Sequence, residues 1–341
     1  MGEGKTGRRV TAGDVAAAAG VSESAVSRTF TPGASASAKT RERVLAAAEA
    51  LGYRPNFIAR GLRARRTNLV GVLLADFHNP WPQLALKALV AALQRRGLQA
   101  LLFDLSGPDS AAGLVPLVLQ YQVDGLIVGA SDVSPEIVAT CQTTGTPVVA
   151  FGRHGKRGLG VSSVSADDAA AGGEVADLLA ARGYQRFAYV SGDGGSGVTW
   201  NSRGQGFTRR TAALGLAPVM RVAAGETSYE AGLRAAVRLC GKGSRPDAVF
   251  CQNDVLAMGL IDGLRGEFGL DVPGDMAVVG FDDIPAASQR PYRLTTVRQP
   301  TAAMMEATAD LLARHLSGEA ERIDALLLPT LLVERDTVRG R

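Results

Sequence analysis

The side chains of this chain that could do chemistry fall into two groups, and both are suited to holding a partner rather than to breaking bonds. Glu23, Ser24, Ser27 and Arg28 lie within one short segment. A carboxylate, two hydroxyls and a guanidinium crowded together present hydrogen-bond donors and acceptors to a polar surface. Asp76, Trp81, Arg153, Arg203, Asn253 and Asp282 are distant in sequence, but each closes or follows a short apolar run or opens a helical pattern. Two carboxylates, two guanidiniums, an amide and an aromatic face suit a hydroxyl-rich ligand, bound by paired hydrogen bonds and ring stacking. The bland alternative for each is a salt bridge between lobes or a helix cap.

Catalysis has no comparable support. His78, His154 and His315 have neither metal-site nor triad spacing, and no P-loop, zinc-protease pair or nucleophile elbow occurs. Cys141, Cys240 and Cys251 are odd in number and scattered, which argues against a disulfide framework and for a reducing compartment. Gly192, Gly194 and Gly197 have the spacing of a dinucleotide-binding loop after a predicted strand. That unit does not open the sheet and lacks an acidic residue at the expected distance, so it reads as a cleft loop. The sequence therefore predicts no enzyme, no metal and no cofactor.

The elements that must position the first group are two short helices meeting at a glycine. Thr11 can cap a helix whose third position is Asp14; Val15, Ala16 and Ala19 share its inner face, and Gly20 ends it. Val21 fills the wedge, and Ser22 caps the next helix. Val26 and Phe30, four apart, point inward, which leaves Glu23, Ser24, Ser27 and Arg28 outside. This is helix-turn-helix grammar, with polar side chains where that motif meets a major groove. Ser37 caps a third helix, with Val44, Leu45, Ala48 and Leu51 as its apolar stripe and Gly52 as its stop.

The stretch from Tyr53 to Asn68 holds five arginines, at 54, 60, 63, 65 and 66, and beyond Pro55 a short helical pattern interrupted by Gly61. Isolated helices below roughly 12–15 residues are marginal in water, so this one needs a polyanion to order against. Charge agrees: residues 1–66 hold 12 Lys+Arg against 5 Asp+Glu, whereas residues 67–341 hold 25 against 28. A basic head on a slightly acidic body is what phosphate-backbone binding by one module would produce.

Three motifs in order, D-V-A-x-x-A-G-V-S-x-x-x-V-S-R, K-T-R-E-R-V and Y-R-P-N-x-x-A-R-x-L, resemble the head and hinge of the lactose/galactose repressor (LacI/GalR) family of bacterial regulators. The resemblance implies that Glu23, Ser24 and Arg28 read base edges. It also implies that Thr11, Ser22, Ser27, Ser37, Thr40, Tyr53 and Asn56 touch phosphates or position the head. Leu62 matches the wedge inserted into the minor groove, with Ala59 beside it on the same face. Ala25 stands where threonine is usual, and Glu23 brings negative charge to a reading position.

From Asn68 onward, apolar runs alternate with helical patterns. Strands are predicted at 69–74, 99–105, 125–128, 147–151, 186–190, 219–223, 248–251 and 277–281, and helices at 83–95, 167–182, 229–239 and 255–268. Such repetition means α/β architecture with parallel, doubly wound sheets, and eight units are too many for one core. The expected plan is an all-α head at 9–55, a hinge helix at 56–67 and a two-lobed body at 68–341. Lobe one would take 68–163 and 295–324, and lobe two 164–294 and 325–341. This body is similar to sugar-binding periplasmic proteins. The resemblance places an effector beyond the strand ends, between the lobes, and supports Arg203, Asn253, Asp282 and Trp81 as its contacts; Pro82 replaces a usual second aromatic.

The expected function is a homodimeric, ligand-responsive DNA-binding transcription regulator, a repressor. Its partners would be pseudo-palindromic operator DNA and a small-molecule effector, a carbohydrate or derivative. Relatives use effectors both to release DNA and to promote binding, and the sequence leaves both open. No apolar run is long enough to span a membrane and no signal peptide is visible, so a cytoplasmic, nucleoid-associated protein is expected. The rival reading, an exported solute-binding protein or sugar enzyme sharing the body, would need that signal or a catalytic site. No leucine heptad follows Pro329, so a coiled-coil tether is not expected.

Overall fold

The structure, a computed structural model, describes residues 10–31, 34–54, 66–75, 78–105, 111–129, 135–152, 160–192, 202–241, 245–319 and 325–340. The chain divides into two compact units, Met1–Thr67 and Asn68–Arg341.

In the first unit, α1 (Ala12–Ala19), α2 (Glu23–Thr29) and α3 (Ala38–Ala50) enclose a small core of Val15, Ala16, Ala19, Val26, Val44 and Ala48. Thr11 and Asp14 form a reciprocal capping box on α1, and Gly20 ends that helix at φ 60°. That left-handed conformation is one a side chain would resist, and it turns the chain into α2. Arg43 donates to the carbonyls of Ala19 and Gly20, and Arg41 to that of Thr29, fastening α3 across the turn. Leu45 and Leu51 depart from the expected stripe: they are 46% and 39% exposed. The helix buries Val44 and Ala48; Leu45 points about 100° away from Val44, and Leu51 falls beyond the last helical residue.

The second unit contains two six-stranded sheets. The first sheet has β1 (Leu69–Leu74), β2 (Gln99–Asp104), β3 (Gly125–Gly129), β4 (Val148–Phe151), β5 (Ser162–Ala166) and β11 (Ala325–Leu328), in the order β11-β5-β4-β3-β1-β2. The second has β6 (Phe187–Ser191), β7 (Met220–Ala223), β8 (Ala248–Cys251), β9 (Ala277–Asp282), β10 (Thr295–Arg298) and β12 (Leu331–Val333), in the order β12-β10-β9-β8-β6-β7. Every pairing is parallel except β10 with β12. The two sheets repeat one winding, reversing direction between β1 and β3 and again between β6 and β8. Apolar runs such as Leu-Val-Gly-Val-Leu-Leu form these strands because parallel sheets are covered on both faces.

Helices α4 (Pro80–Arg95), α5 (Ala111–Gln120), α6 (Pro135–Thr144), α7 (Asp168–Ala181), α8 (Ser202–Ala213), α9 (Tyr229–Cys240), α10 (Asp254–Phe268) and α11 (Thr301–Ser317) connect the strands. All eight predicted strands and all four predicted helices are present, within a few residues of their expected ends.

The assignment of strands to lobes differs from expectation. Residues 295–298, expected in lobe one, lie in the second sheet, and residues 325–328, expected in lobe two, lie in the first. Polar anchors set this: Thr296 donates to buried Asp254 at 2.5 Å and the Thr295 amide donates to Thr337 at 2.9 Å, tying β10 to the second sheet. The Asp167 amide donates to the Leu328 carbonyl, tying β11 to the first. Strand β5, Ser-Ser-Val-Ser-Ala, is fully buried despite its serines.

Candidate nucleic-acid interface and ligand cleft

In the head, three of the candidate phosphate contacts are also helix caps. Thr11, Ser22 and Ser37 each accept an amide hydrogen from the third residue of the helix they start. Ser22 and Ser24 share a hydroxyl hydrogen bond of 2.8 Å, as do Ser37 and Thr40. Glu23, Ser24 and Arg28 are exposed along α2, and Ser27 is half-buried. Thr29, not foreseen, is buried and donates to the Ala25 carbonyl. Tyr53 packs on Phe30, ring centroids 5.8 Å apart, so it also holds the core of the head. Asn56, Ala59 and Leu62 lie outside the described residues.

In the body, the decisive cluster surrounds Asp282 at the end of β9, which is 4% exposed. Its Oδ2 accepts from Asn79 Nδ2 at 2.8 Å and its Oδ1 from Gln299 Nε2 at 2.7 Å. Arg203 Nη1 stands 3.7 Å from the same Oδ1, its Nε stands 3.2 Å from Asp168, and Nη1 donates to the Gln252 carbonyl. Burial alone would lower Arg203, but the carboxylates of Asp168 and Asp282 more than offset it, so the guanidinium is firmly charged. Burial likewise pushes Asp282 up to about 6, against the opposing pull of Arg203, Asn79 and Gln299.

Trp81 is 4% exposed rather than an open stacking face. Its indole N–H donates to Thr301 at 3.1 Å and its ring packs obliquely on Phe151. Together with Asp282, Gln299 and Thr301 it still borders an open groove of about 600 Å³. Asn253 also starts α10: its Oδ1 accepts from the Leu256 amide and caps that helix. Asp254, the first residue of that helix, is fully buried and accepts from Thr296 and the Ile284 amide. Asp283 holds Arg298 and Arg335, each at 2.6 Å. Asp76, Arg153, Gly194 and Gly197 lie outside the described residues.

The helix bearing Arg203 is placed by backbone contact. A β-carbon on Gly206 would stand 2.0 Å from the Ala169 carbonyl oxygen, and one on Gly172 2.2 Å from that of Arg203. Side chains there would hold α7 and α8 apart and move Arg203 off Asp282. Asn79, Asp168, Gln252 and Gln299 were not among the predicted residues. Their signal was present only as polar residues within a few positions of strand ends.

Cys141 and Cys251 are buried, and burial pushes Cys141 up to about 11 and raises Cys251 further, so neither offers a thiolate. His315 hydrogen-bonds Ser162 at 2.9 Å. Among the described residues no group of His, Cys, Asp or Glu is arranged to hold a metal ion, and no helix is long and apolar enough to cross a membrane.

Residues 11–56 match the family of bacterial regulatory proteins, lacI family, and residues 176–338 match a periplasmic binding protein-like domain. Over 343 residues the chain is 31% identical to the HTH-type transcriptional regulator CelR of Thermobifida fusca, covering 97% of this chain and 98% of that one. The chain belongs to the LacI family. Catabolite control protein A of Priestia megaterium is 29% identical over 334 residues, covering 97% and 99%. Among solved structures, the lac repressor dimer bound to operator and the anti-inducer ONPF superimposes with a TM-score of 0.86 at 27% identity, covering 97% of this chain and 99% of that one. The CelR–cellobiose complex gives 0.71 at 29% identity, covering 96% and 100%. This LacI-family member is a DNA-binding transcriptional regulator and not an enzyme.

Proposed function

We propose that this regulator is a homodimeric, cytoplasmic, nucleoid-associated repressor whose operator affinity is set by a hydroxyl-rich small molecule, a sugar or sugar derivative, bound at Asp282 and Arg203. The observation that carries the effector assignment is the buried carboxylate–guanidinium pair beside Trp81, at the carboxyl ends of the strands, where ligands of open α/β sheets sit. The cellobiose held by CelR and the ONPG held by the lac repressor are in keeping with such a ligand.

On the DNA side, Ser24 and Arg28 face base edges, with Glu23 beside them drawn back over the first turn of α1, while Thr11, Ser22, Ser27, Ser37, Thr40, Tyr53 and Asn56 position the head. Leu62, with Ala59 beside it, wedges the minor groove from a hinge at 56–67. Effector shifts operator affinity only through its preference for one lobe arrangement over the other.

A thermal-shift screen of sugars and nucleobases, followed by retardation of promoter fragments with and without each hit, tests both halves. A cognate effector at 100 times its dissociation constant adds about 2.7 kcal/mol to stability. No shift with any sugar would overturn the ligand class. No retardation at low salt with any fragment of the protein's genomic neighbourhood would overturn the operator reading.

A further inference from the structure

Asn79 belongs to one lobe and Asp282 to the other. Asn79 starts α4, which follows β1 of the first sheet, and Asp282 ends β9 of the second. Asn79 divides its amide between them: Oδ1 accepts from the Trp81 amide and caps α4, while Nδ2 donates to Asp282 at 2.8 Å. Both residues are buried, Asn79 to 7% and Asp282 to 4% exposure. A second thread runs beside it. Gln299, on the segment that leads from β10 to α11, donates to the other Asp282 oxygen, and Thr301, two residues on, accepts from Trp81.

We propose that Asn79 is a positioning residue that latches the two lobes together through Asp282, and that a ligand engaging Asp282 must bring an N–H or O–H donor to replace it. This rests on the reading above that Asp282 receives effector, but the latch itself does not require a ligand. The argument is one of hydrogen-bond capacity. Oδ1 of Asp282 is shared by Gln299 and the Arg203 charge, and Oδ2 takes Asn79. A buried carboxylate stripped of one of these donors is costly, so a ligand without a donor has no way to release Asn79. When Asn79 is displaced, the first turn of α4 is the element freed from the second lobe. Trp81, two residues further on, therefore reports the event.

The test uses the full chain with Trp200 replaced by phenylalanine, so that Trp81 alone fluoresces, and measures acrylamide quenching without added ligand. Asn79→Ser keeps a good helix cap but cannot reach Asp282. The latch predicts that Asn79→Ser raises quenching several-fold. It predicts that Asn79→Asp, which sets two carboxylates against each other, does so further. The exchanged pair Asn79→Asp with Asp282→Asn, which restores one donor and one acceptor, returns quenching to the parent value. Parent-like quenching in Asn79→Ser overturns the latch and leaves Asn79 as a cap. Quenching that rises in the single variants but is not restored by the exchange overturns the pairing with Asp282. Neither result touches the effector assignment, which the ligand screen decides separately.

Discussion

Arg203 sits over the Phe281 ring, its guanidinium carbon 3.5 Å from the ring centroid, with Asp168 and Asp282 at the guanidinium edge. An aromatic face below and two carboxylates beside it hold a buried cation in one orientation, as a flexible ammonium could not be held.

Removing that cation leaves two carboxylates buried without their partner. Arg203→Met should therefore destabilise the body by about 3–5 kcal/mol, the usual cost of breaking a buried pair from one side. Arg203→Lys should recover only part of this, because it lacks the planar fork that reaches Asp168, Asp282 and the Gln252 carbonyl together. Denaturant unfolding of the three proteins checks the order: equal stability of Arg203→Met and the parent would show the network to be dispensable.

Asp282 makes stability depend on pH with a defined sign. Its carboxyl titrates at about 6 in the folded chain, because burial outweighs Arg203, Asn79 and Gln299, whereas an unfolded aspartate titrates near pH ~4. The folded state thus binds the proton more tightly. The stability this group contributes is fully present below about pH 4 and is lost as pH rises through about 6. Asp254, also raised by burial and by Asp282, acts in the same direction, while Asp168 adds repulsion. Relative to Asp282→Asn, the parent should lose up to about 3 kcal/mol between roughly pH 4 and 7. Parallel stability curves for the two proteins would refute the assignment.

The contact between α7 and α8 leaves no room for a methyl group at Gly206. Gly206→Ala places its β-carbon against the backbone of Ala169, which cannot rotate away as a side chain would. The expected cost is about 1–3 kcal/mol or more, as for other overpacked sites. Because Arg203 lies one turn earlier on α8, effector affinity should fall as well. Helix propensity alone favours alanine over glycine by about 1 kcal/mol, so a loss belongs to the crossing. A gain in stability on Gly206→Ala would show the contact to be loose.

How far the sequence disclosed this arrangement depended on what each residue had to satisfy. Strands such as Ala277–Asp282 were legible because unbroken apolar runs leave few alternatives. Strands β5 and β10 were not, since Ser162, Ser163, Ser165, Thr295 and Thr296 are buried by partners distant in sequence, such as His315, Thr337 and Asp254. The same blindness explains the site. Arg203 and Asp282 stood out as charges beside apolar runs, but Asn79 and Gln299 join the site through Asp282, 203 and 17 positions away. Asn253 illustrates the reverse, a polar residue at a strand end whose carbonyl is consumed by a helix amide.

A β-carbon on Gly13 would stand 2.9 Å from Glu23 Oε1 and 3.6 Å from Thr11 Oγ1, so the Glu23 carboxylate rests over the first turn of α1, where the missing side chain leaves it room. The amides of that turn carry partial positive charge and favour a carboxylate. Seated there, Glu23 is drawn back from the outer face of α2, and base reading falls to Ser24 and Arg28. Gly13→Leu should expel the carboxylate toward DNA. Selection from a randomised duplex pool should then show a new preference opposite residue 23, for a cytosine whose amino group the carboxylate can accept. Glu23→Gln in the Gly13 background should leave base preference unchanged, and Gly13→Leu with Glu23→Gln should lose the new preference. The same bases selected by Gly13→Leu and the parent would mean that Gly13 does not govern Glu23. A shift in preference on Glu23→Gln alone would mean that the carboxylate already reads the groove from its seat.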